Sequence, residues 1–578
     1  MASNLRTTAQ RLGHYIRPHK WGLIVGIACF FSSAAIEPLV PALFKKLLDH
    51  GFKADLGFPI WLVPVAVIGL FAGRGLLAFS GTYLFNWATS QAVLKLRTDL
   101  VLSVMRADAS LYTQLSPGVA ATRVINDPQS ATGALAGALT TILRDGTTLL
   151  ALLAYLFYLN WKLTLISLVT MPLLAYVVRT VQRRVLAVGG RSYESQIRLV
   201  GIVDDITRAW RVVRTFDAAE FEQRRFAEEA QRLRRMTLKS IAAGATMTPL
   251  TQIVASAGVA LILTLALIEA NRGGTSVGEF VAFITAMLMT ISPMRHLTDV
   301  TQPIIGGLIG ARACFDLMDT PPEPDTGTRE LEAGQCRGDI RFDRVTVVYP
   351  GSEHKALNQL ELEIPAGKTI ALVGPSGSGK TTIVNAMLGF VAPTEGRITL
   401  DGIDVTEIRK ASLRRQFAVV SQDIVLFDGP LADNVAYAAP KDMARIEACL
   451  KAANLWDFVQ SQPEGVNMMI GTNGSRLSGG QRQRLAIARA LYKQARIWVF
   501  DEATSALDTE SERIVQQSIE DWHGEKTLIL IAHRLSTVRN ADRIYVMSDG
   551  RVVEAGTHKE LMERGGLYAG MVAAQAVE

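Results

Sequence analysis

Six apolar runs decide most of what this chain can become. Residues 21–44, 59–84, 134–158, 161–182, 247–269 and 277–297 each match the ~20-residue stretch that carries a helix across a bilayer core. Inside lipid no water satisfies a backbone N–H or C=O, so such runs must form helices that close their own hydrogen bonds. From residue 339 to 578 no comparable run occurs, and charged, polar and apolar residues mix as in a water-exposed domain. The whole-chain averages, 49% hydrophobic and 20% charged, therefore blend two unlike halves. The expectation is a six-span α-helical transmembrane domain, residues 21–318, followed by a separate globular domain.

Loop lengths alternate along the membrane half. A few residues around Asn160 join spans three and four, and the turn Asn271-Arg272-Gly273-Gly274 joins five and six. Roughly 50 and 65 residues, patterned as helix continuations, separate spans two from three and four from five. Residues 179–239 hold 14 Lys or Arg against 8 Asp or Glu, and a basic excess marks the cytoplasmic side. Both termini and the long connections are thus expected in the cytoplasm. Residues 1–20 set Leu5, Leu12 and Ile16 among Arg6, Arg11, Arg17 and Lys20, which predicts an amphipathic elbow helix rather than a cleavable signal. Cys29, Cys314, Cys336 and Cys449 are too scattered for a metal site or a disulfide framework. The net charge of +6 is modest and spread over loops, which argues against a nucleic-acid partner.

Pro321-Pro322-Glu323-Pro324 marks a linker, set at 319–338, before the domain at 339–578. There strand-like runs alternate with helical ones, the pattern of an α/β domain. Ile370-Ala371-Leu372-Val373 runs directly into Gly374-Pro375-Ser376-Gly377-Ser378-Gly379-Lys380-Thr381, with Thr382 next. This is a complete phosphate loop: glycines let the amides close around phosphates, Lys380 reaches the β/γ-phosphates of ATP, and Thr381 can hold Mg²⁺. A second apolar strand, Ile497-Trp498-Val499-Phe500, delivers Asp501 as a Mg²⁺ ligand and Glu502 as a base for the attacking water. Between them, Leu477-Ser478-Gly479-Gly480-Gln481 opens a helix whose free amides and dipole favour an anion.

At this point the chain resembles the ABC ATPases, whose signature is Leu-Ser-Gly-Gly-Gln between those two nucleotide motifs. The resemblance implies an adenine-stacking role for Tyr349, a Q-loop glutamine at Gln422 that also serves Mg²⁺, a D-loop at Ser505-Ala506-Leu507-Asp508 and a switch histidine at His533. Asp508 and the signature residues Ser478, Gly479, Gly480 and Gln481 would then complete a nucleotide site. Only one phosphate loop and one signature occur in 578 residues, so the chain is similar to a half-transporter of the type IV exporters, which works as a homodimer. Segments 110–127 and 210–216 would carry the coupling helices, and the implied address is a bacterial inner membrane. The spans reject a soluble DNA-repair ATPase, and intact Glu502 and His533 argue against an ATP-gated channel. One departure stands out: Gly471-Thr472-Asn473-Gly474 has Thr472 where exporters commonly carry Glu.

Within exporters, Leu47-Leu48-Asp49-His50-Gly51-Phe52 and Arg74-Gly75 resemble the lipid-flipping members of the lipid A-core type. The implied cargo is an amphipathic lipid; the alternative is a drug or peptide. Arg74, Arg144 and Arg295 lie within or near spans two, three and six. A charge at bilayer depth costs about 2.5–3.5 kcal/mol, so such groups face the bundle interior and a partner. Two readings follow: pairing with Glu37 and Asp145, or a clamp for lipid phosphates, which guanidinium suits through paired hydrogen bonds.

Overall fold

The computed structural model describes residues 2–50, 59, 61–168, 191–246, 249–250, 252–253, 256–258, 260, 263–264, 276–332, 335–349, 351–501, 524–531 and 538–577. It divides into two compact units, Met1–Glu323 and Pro324–Glu578.

The first unit is helical. In chain order its labelled helices are α1 Ala2–Ile16, α2 Lys20–Ile36, α3 Leu39–His50, α4 Leu62–Arg106, α5 Ala109–Gln114, α6 Pro117–Leu159 and α7 Trp161–Leu168. They continue with α8 (residues 191–208), α9 Trp210–Thr215, α10 Ala219–Ala245, α11 Val277–Asp299 and α12 Thr301–Met318. Four stretches among the described residues are long and apolar enough to cross a membrane: Gln10–Asp49, Leu62–Arg106, Pro117–Leu159 and Val277–Leu297. The expected fourth and fifth spans, 161–182 and 247–269, fall largely outside the described residues. At 1.5 Å per residue the 45 residues of α4 extend about 67 Å, twice a bilayer core of ~30 Å. The expected helix extensions are therefore present in α4, and the 43-residue α6 repeats them.

The first apolar run differs from the uniform helix expected over 21–44. It breaks at Glu37 and Pro38, because proline has no N–H to donate and its ring crowds the preceding turn. Close approach fixes α2 on α4: a Cβ added to Gly81 would stand 2.8 Å from the Phe30 ring, so only glycine fits. Deeper in the chain direction, Leu12, Leu96, Leu100, Ala131 and Phe315 bury together and join α1, α4, α6 and α12 in one core.

The second unit holds two sheets. A four-stranded antiparallel sheet has the order β2-β1-β4-β5, built from Ile340–Val348 (β1), Lys355–Ile364 (β2), Glu395–Leu400 (β4) and Ile403–Asp404 (β5). The six-stranded sheet runs β10-β9-β3-β8-β7-β6, where β3 is Thr369–Val373, β6 Phe417–Val420, β7 Ile497–Asp501, β8 Thr527–Ile531, β9 Arg543–Ser548 and β10 Arg551–Gly556. Strands β9, β3, β8, β7 and β6 are parallel neighbours. All five residues of β3 and of β8 are buried, as expected of parallel strands covered on both faces.

The segment expected as a linker is bonded at both ends. Asp108 N–H donates to Pro321 O at 3.1 Å within the first unit. In the second, Lys410 N–H donates to Asp325 at 3.1 Å and Leu331 N–H to the Ser412 hydroxyl at 2.7 Å.

Candidate functional site

The parallel sheet assembles nucleotide motifs that are spread over more than a hundred residues of sequence. Strands β3, β8, β7 and β6 stand side by side and run in one direction, so their C-terminal ends form one edge about 15 Å long at ~4.8 Å per strand. The phosphate loop follows β3, Asp501 ends β7 and Gln422 lies two residues beyond β6. Ligands of open α/β sheets bind at such an edge. Glu502 follows Asp501 and His533 is two residues past β8 in sequence; both, with Ser505-Ala506-Leu507-Asp508, lie outside the described residues.

The loop itself is built for close backbone approach. Gly379 caps the helix Lys380–Met387 (α13) with φ +102°, and a Cβ there would meet Ala356 O at 2.7 Å. Lys380 is buried, its Nζ 2.8 Å from Gly374 O and 2.9 Å from Pro375 O, so its ammonium is gathered at the mouth of the loop. Thr381 is exposed and Thr382 buried in the first turn of α13. Tyr349, just past β1, reaches the same helix: its hydroxyl donates to Thr382 Oγ1 at 3.4 Å. Pro375, Ser376 and Gly377 are exposed along the loop while Ser378 is buried.

Ser478 N-caps the helix Gly479–Lys493 (α14) through a reciprocal pair: Gln481 N–H donates to Ser478 Oγ at 3.2 Å, and Ser478 N–H donates to Gln481 Oε1 at 2.8 Å. Sequence reasoning missed what anchors this helix. Arg489 donates to Asn434 O and Oδ1, both at 2.8 Å, and to Val425 O at 2.9 Å, tying α14 to the segment that follows Gln422. The guanidinium also lies over Phe427 and Tyr437, which stack with centroids 4.5 Å apart. Burial pushes the Arg489 guanidinium below its ordinary range. Its only signal in sequence was a basic residue on the apolar side of a helix.

Charged side chains also gather within the membrane unit. Glu37, at the α2–α3 break, is buried, with Arg74 Nε of α4 2.7 Å from its Oε2; the N–H is not aligned on the oxygen, so this is an ion pair without a hydrogen bond. Asp145 of α6 is 6% exposed and takes a fork from Arg144, Nε to Oδ1 at 2.8 Å and Nη2 to Oδ2 at 3.1 Å. Of the two sequence readings, pairing with internal acids is the one these contacts display. Arg295 lies half-buried on α11. His296 beside it went unread in the sequence, although an ionisable residue in an apolar run is itself the signal. Its Nδ1 stands 3.0 Å from Asp145 Oδ2.

Comparison with known proteins places these features in a family. Residues 23–294 match the ABC transporter transmembrane region, and residues 357–505 match the ABC transporter family. An "ATP-dependent lipid A-core flippase" of Ralstonia nicotianae is 42% identical over 566 residues, 97% of this chain and 95% of the relative. The chain belongs to the ABC transporters. Proteins of the same description from Burkholderia orbicola, 42% identical over 97% of this chain and 95% of the relative, and Albidiferax ferrireducens, 40% over 98% of both, are similarly close. A solved bacterial Atm1-family ABC exporter with ATP bound superimposes with a TM-score of 0.84 at 27% identity, covering 97% of this chain and all of that one. This ABC transporter is thus a multi-pass membrane protein with an exporter fold that binds and hydrolyses ATP.

Proposed function

We propose that two copies of this chain form a homodimeric exporter of a bacterial inner membrane, with the ATPase units and both termini in the cytoplasm. It uses ATP to flip a phosphorylated, amphipathic lipid of the lipid A-core kind from the inner leaflet. The observation that carries this reading is the 40–42% identity, over nearly the whole of both chains, to relatives described as lipid A-core flippases. The ion-paired arginines of the membrane unit support it, since guanidinium groups already held at carboxylates can exchange them for phosphate oxygens.

Within each ATPase unit Lys380 neutralises the β/γ-phosphates and the backbone N–H groups of residues 376–382 cradle them. Thr381, Gln422 and Asp501 offer only oxygen donors, the set Mg²⁺ prefers, and these residues would hold it. When bound, Mg²⁺ supplies positive charge against the phosphates. Glu502 orients the water and accepts its proton, His533 steadies the γ-phosphate, and Tyr349 stacks on adenine. The signature residues 478–481 and Asp508 close on the nucleotide held by the other copy, which turns the cavity outward.

The test is flipping in reconstituted vesicles with a bis-phosphorylated glycolipid and its dephosphorylated counterpart. ATP-dependent flipping of the phosphorylated form, with Arg74→Ala and Arg144→Ala each weakening it tenfold or more, is the expected result. Equal handling of both lipids and of uncharged drugs would instead make this a multidrug exporter.

A further inference from the structure

Past Gln422, three consecutive residues have backbone groups taken by side chains of other elements. Val425 O accepts from Arg489 of α14 at 2.9 Å, and Leu426 N–H donates to Asn473 Oδ1 at 3.1 Å. Phe427 N–H donates to Asn434 Oδ1 and Phe427 O accepts from Asn434 Nδ2, each at 2.9 Å. Two residues further on the fastening becomes backbone to backbone: Ile470 N–H donates to Gly429 O at 3.1 Å and Leu431 N–H to Met468 O at 2.9 Å. The stretch nearest Gln422 is thus the one whose position is set by individual side chains.

Of those three side chains, Asn473 is the one on the segment that runs into the signature, five residues before Ser478. Its backbone is left-handed, with φ +50°, a conformation that asparagine tolerates better than most residues. The turn brings Gly474 against Leu426: a Cβ on Gly474 would stand 2.6 Å from Leu426 Cδ1 and 3.2 Å from the Arg482 side chain. Leu426 is 3% exposed, so both its N–H and its side chain are fixed to the turn that leads into α14. From there Leu477 N–H donates to Gly474 O at 2.9 Å, and Ser478 caps the helix. A shift of the loop after Gln422 is therefore passed on to the signature rather than absorbed between them.

We infer that Asn473 is a positioning residue for ATP hydrolysis: its side chain fastens the loop after Gln422 to the signature segment, so that the two shift together when nucleotide binds. Gln422 responds to the nucleotide of its own chain and the signature to that of the other copy, so this fastening links the two sites. Coupling of this kind needs an element that both sites bias, and residues 425–427 with the turn at 471–474 supply it.

The inference rests on the proposed closure of the signature on the other copy's nucleotide, and amide exchange reads the two apart. Asn473→Gly suits the test, because glycine adopts φ +50° freely and only the side chain is lost. Exchange is followed in the full-length transporter in nanodiscs, with and without the Mg²⁺ complex of a non-hydrolysable ATP analogue at saturation. The analogue should slow exchange of residues 376–382 equally in the parental protein and in Asn473→Gly. At residues 478–481 it should slow exchange about tenfold in the parental protein and less than about threefold in the variant. Steady-state hydrolysis in Asn473→Gly should fall about fivefold in kcat. A merely structural role would instead loosen the phosphate loop and the signature together. That outcome, parental protection of 478–481 in Asn473→Gly, or an unchanged kcat overturns the role of Asn473 while leaving the closure intact. Absence of protection at 478–481 in the parental protein overturns the closure itself.

Discussion

Glu502 and Lys380 are expected to fail in different ways when replaced. Glu502→Gln keeps the nucleotide's phosphate contacts but cannot accept a proton from water, so hydrolysis should fall by 10²-fold or more while ATP still binds. Lys380→Ala removes a buried ammonium at the loop mouth and should weaken ATP binding itself. Nucleotide binding and single-turnover rates measured side by side distinguish the two, and parental hydrolysis in Glu502→Gln would remove Glu502 from the base role. Thr472 makes a subtler case. Its hydroxyl lies 3.4 Å from Asp428 Oδ2, so a carboxylate already stands beside the position where related exporters carry Glu. Thr472→Glu would set two like charges together, destabilising the turn by up to ~1 kcal/mol and lowering lipid flipped per ATP. Adding Asp428→Asn should restore that ratio; no recovery in the double variant would show that charge crowding is not the cause.

Two elements depend on arginines in unlike surroundings. Arg489 holds α14 through three hydrogen bonds in a mostly buried setting, and Asn434, its partner, is 1% exposed. Arg489→Ala strands those acceptors and should cost about 2–4 kcal/mol, read as a lower unfolding temperature of the ATPase unit. By contrast, the Arg11–Asp319 fork at 2.6 and 2.8 Å, which ties α1 to the end of α12, is half in solvent. Hydrogen bonding to Arg11 holds the Asp319 carboxyl below its ordinary range. A depressed acid adds stability above its unfolded pKa, near 3.9, and loses it as pH falls through the lower folded value. At neutral pH the pair is fully formed, yet such exposed pairs contribute under about 1 kcal/mol. Asp319→Asn should therefore leave global stability nearly unchanged and appear only as faster amide exchange in α1.

At the scale of the assembly, the proposed sharing of each ATP site between two copies makes a quantitative prediction. A chain carrying Lys380→Ala and a chain carrying Ser478→Arg are each inactive as homodimers. In the mixed dimer, one site joins an intact phosphate loop to an intact signature. Co-expression should restore roughly a quarter of parental ATPase activity, since about half the dimers are mixed and each keeps one of two sites. Activity no higher than either variant alone would place each complete site within a single chain.

What the sequence determined by itself was everything carried by local pattern. Run length marked the four crossings that the described residues display, because lipid leaves a backbone no other way to satisfy its polar groups. The phosphate loop was legible because its glycines, lysine and threonine act within eight consecutive residues, and Gly379 does adopt the left-handed backbone its role demands. Tertiary structure alone decided which distant groups meet. The order β3-β8-β7-β6 brings Gln422, Asp501 and the phosphate loop to one edge, although the chain visits those strands out of sequence. Arg489 and Asn434 find each other across 55 residues, and His296 reaches Asp145 across 151. No periodicity records such meetings: a hydrogen bond between remote residues depends on how helices cross and sheets are wound, while hydropathy and motif spacing report only on neighbours along the chain.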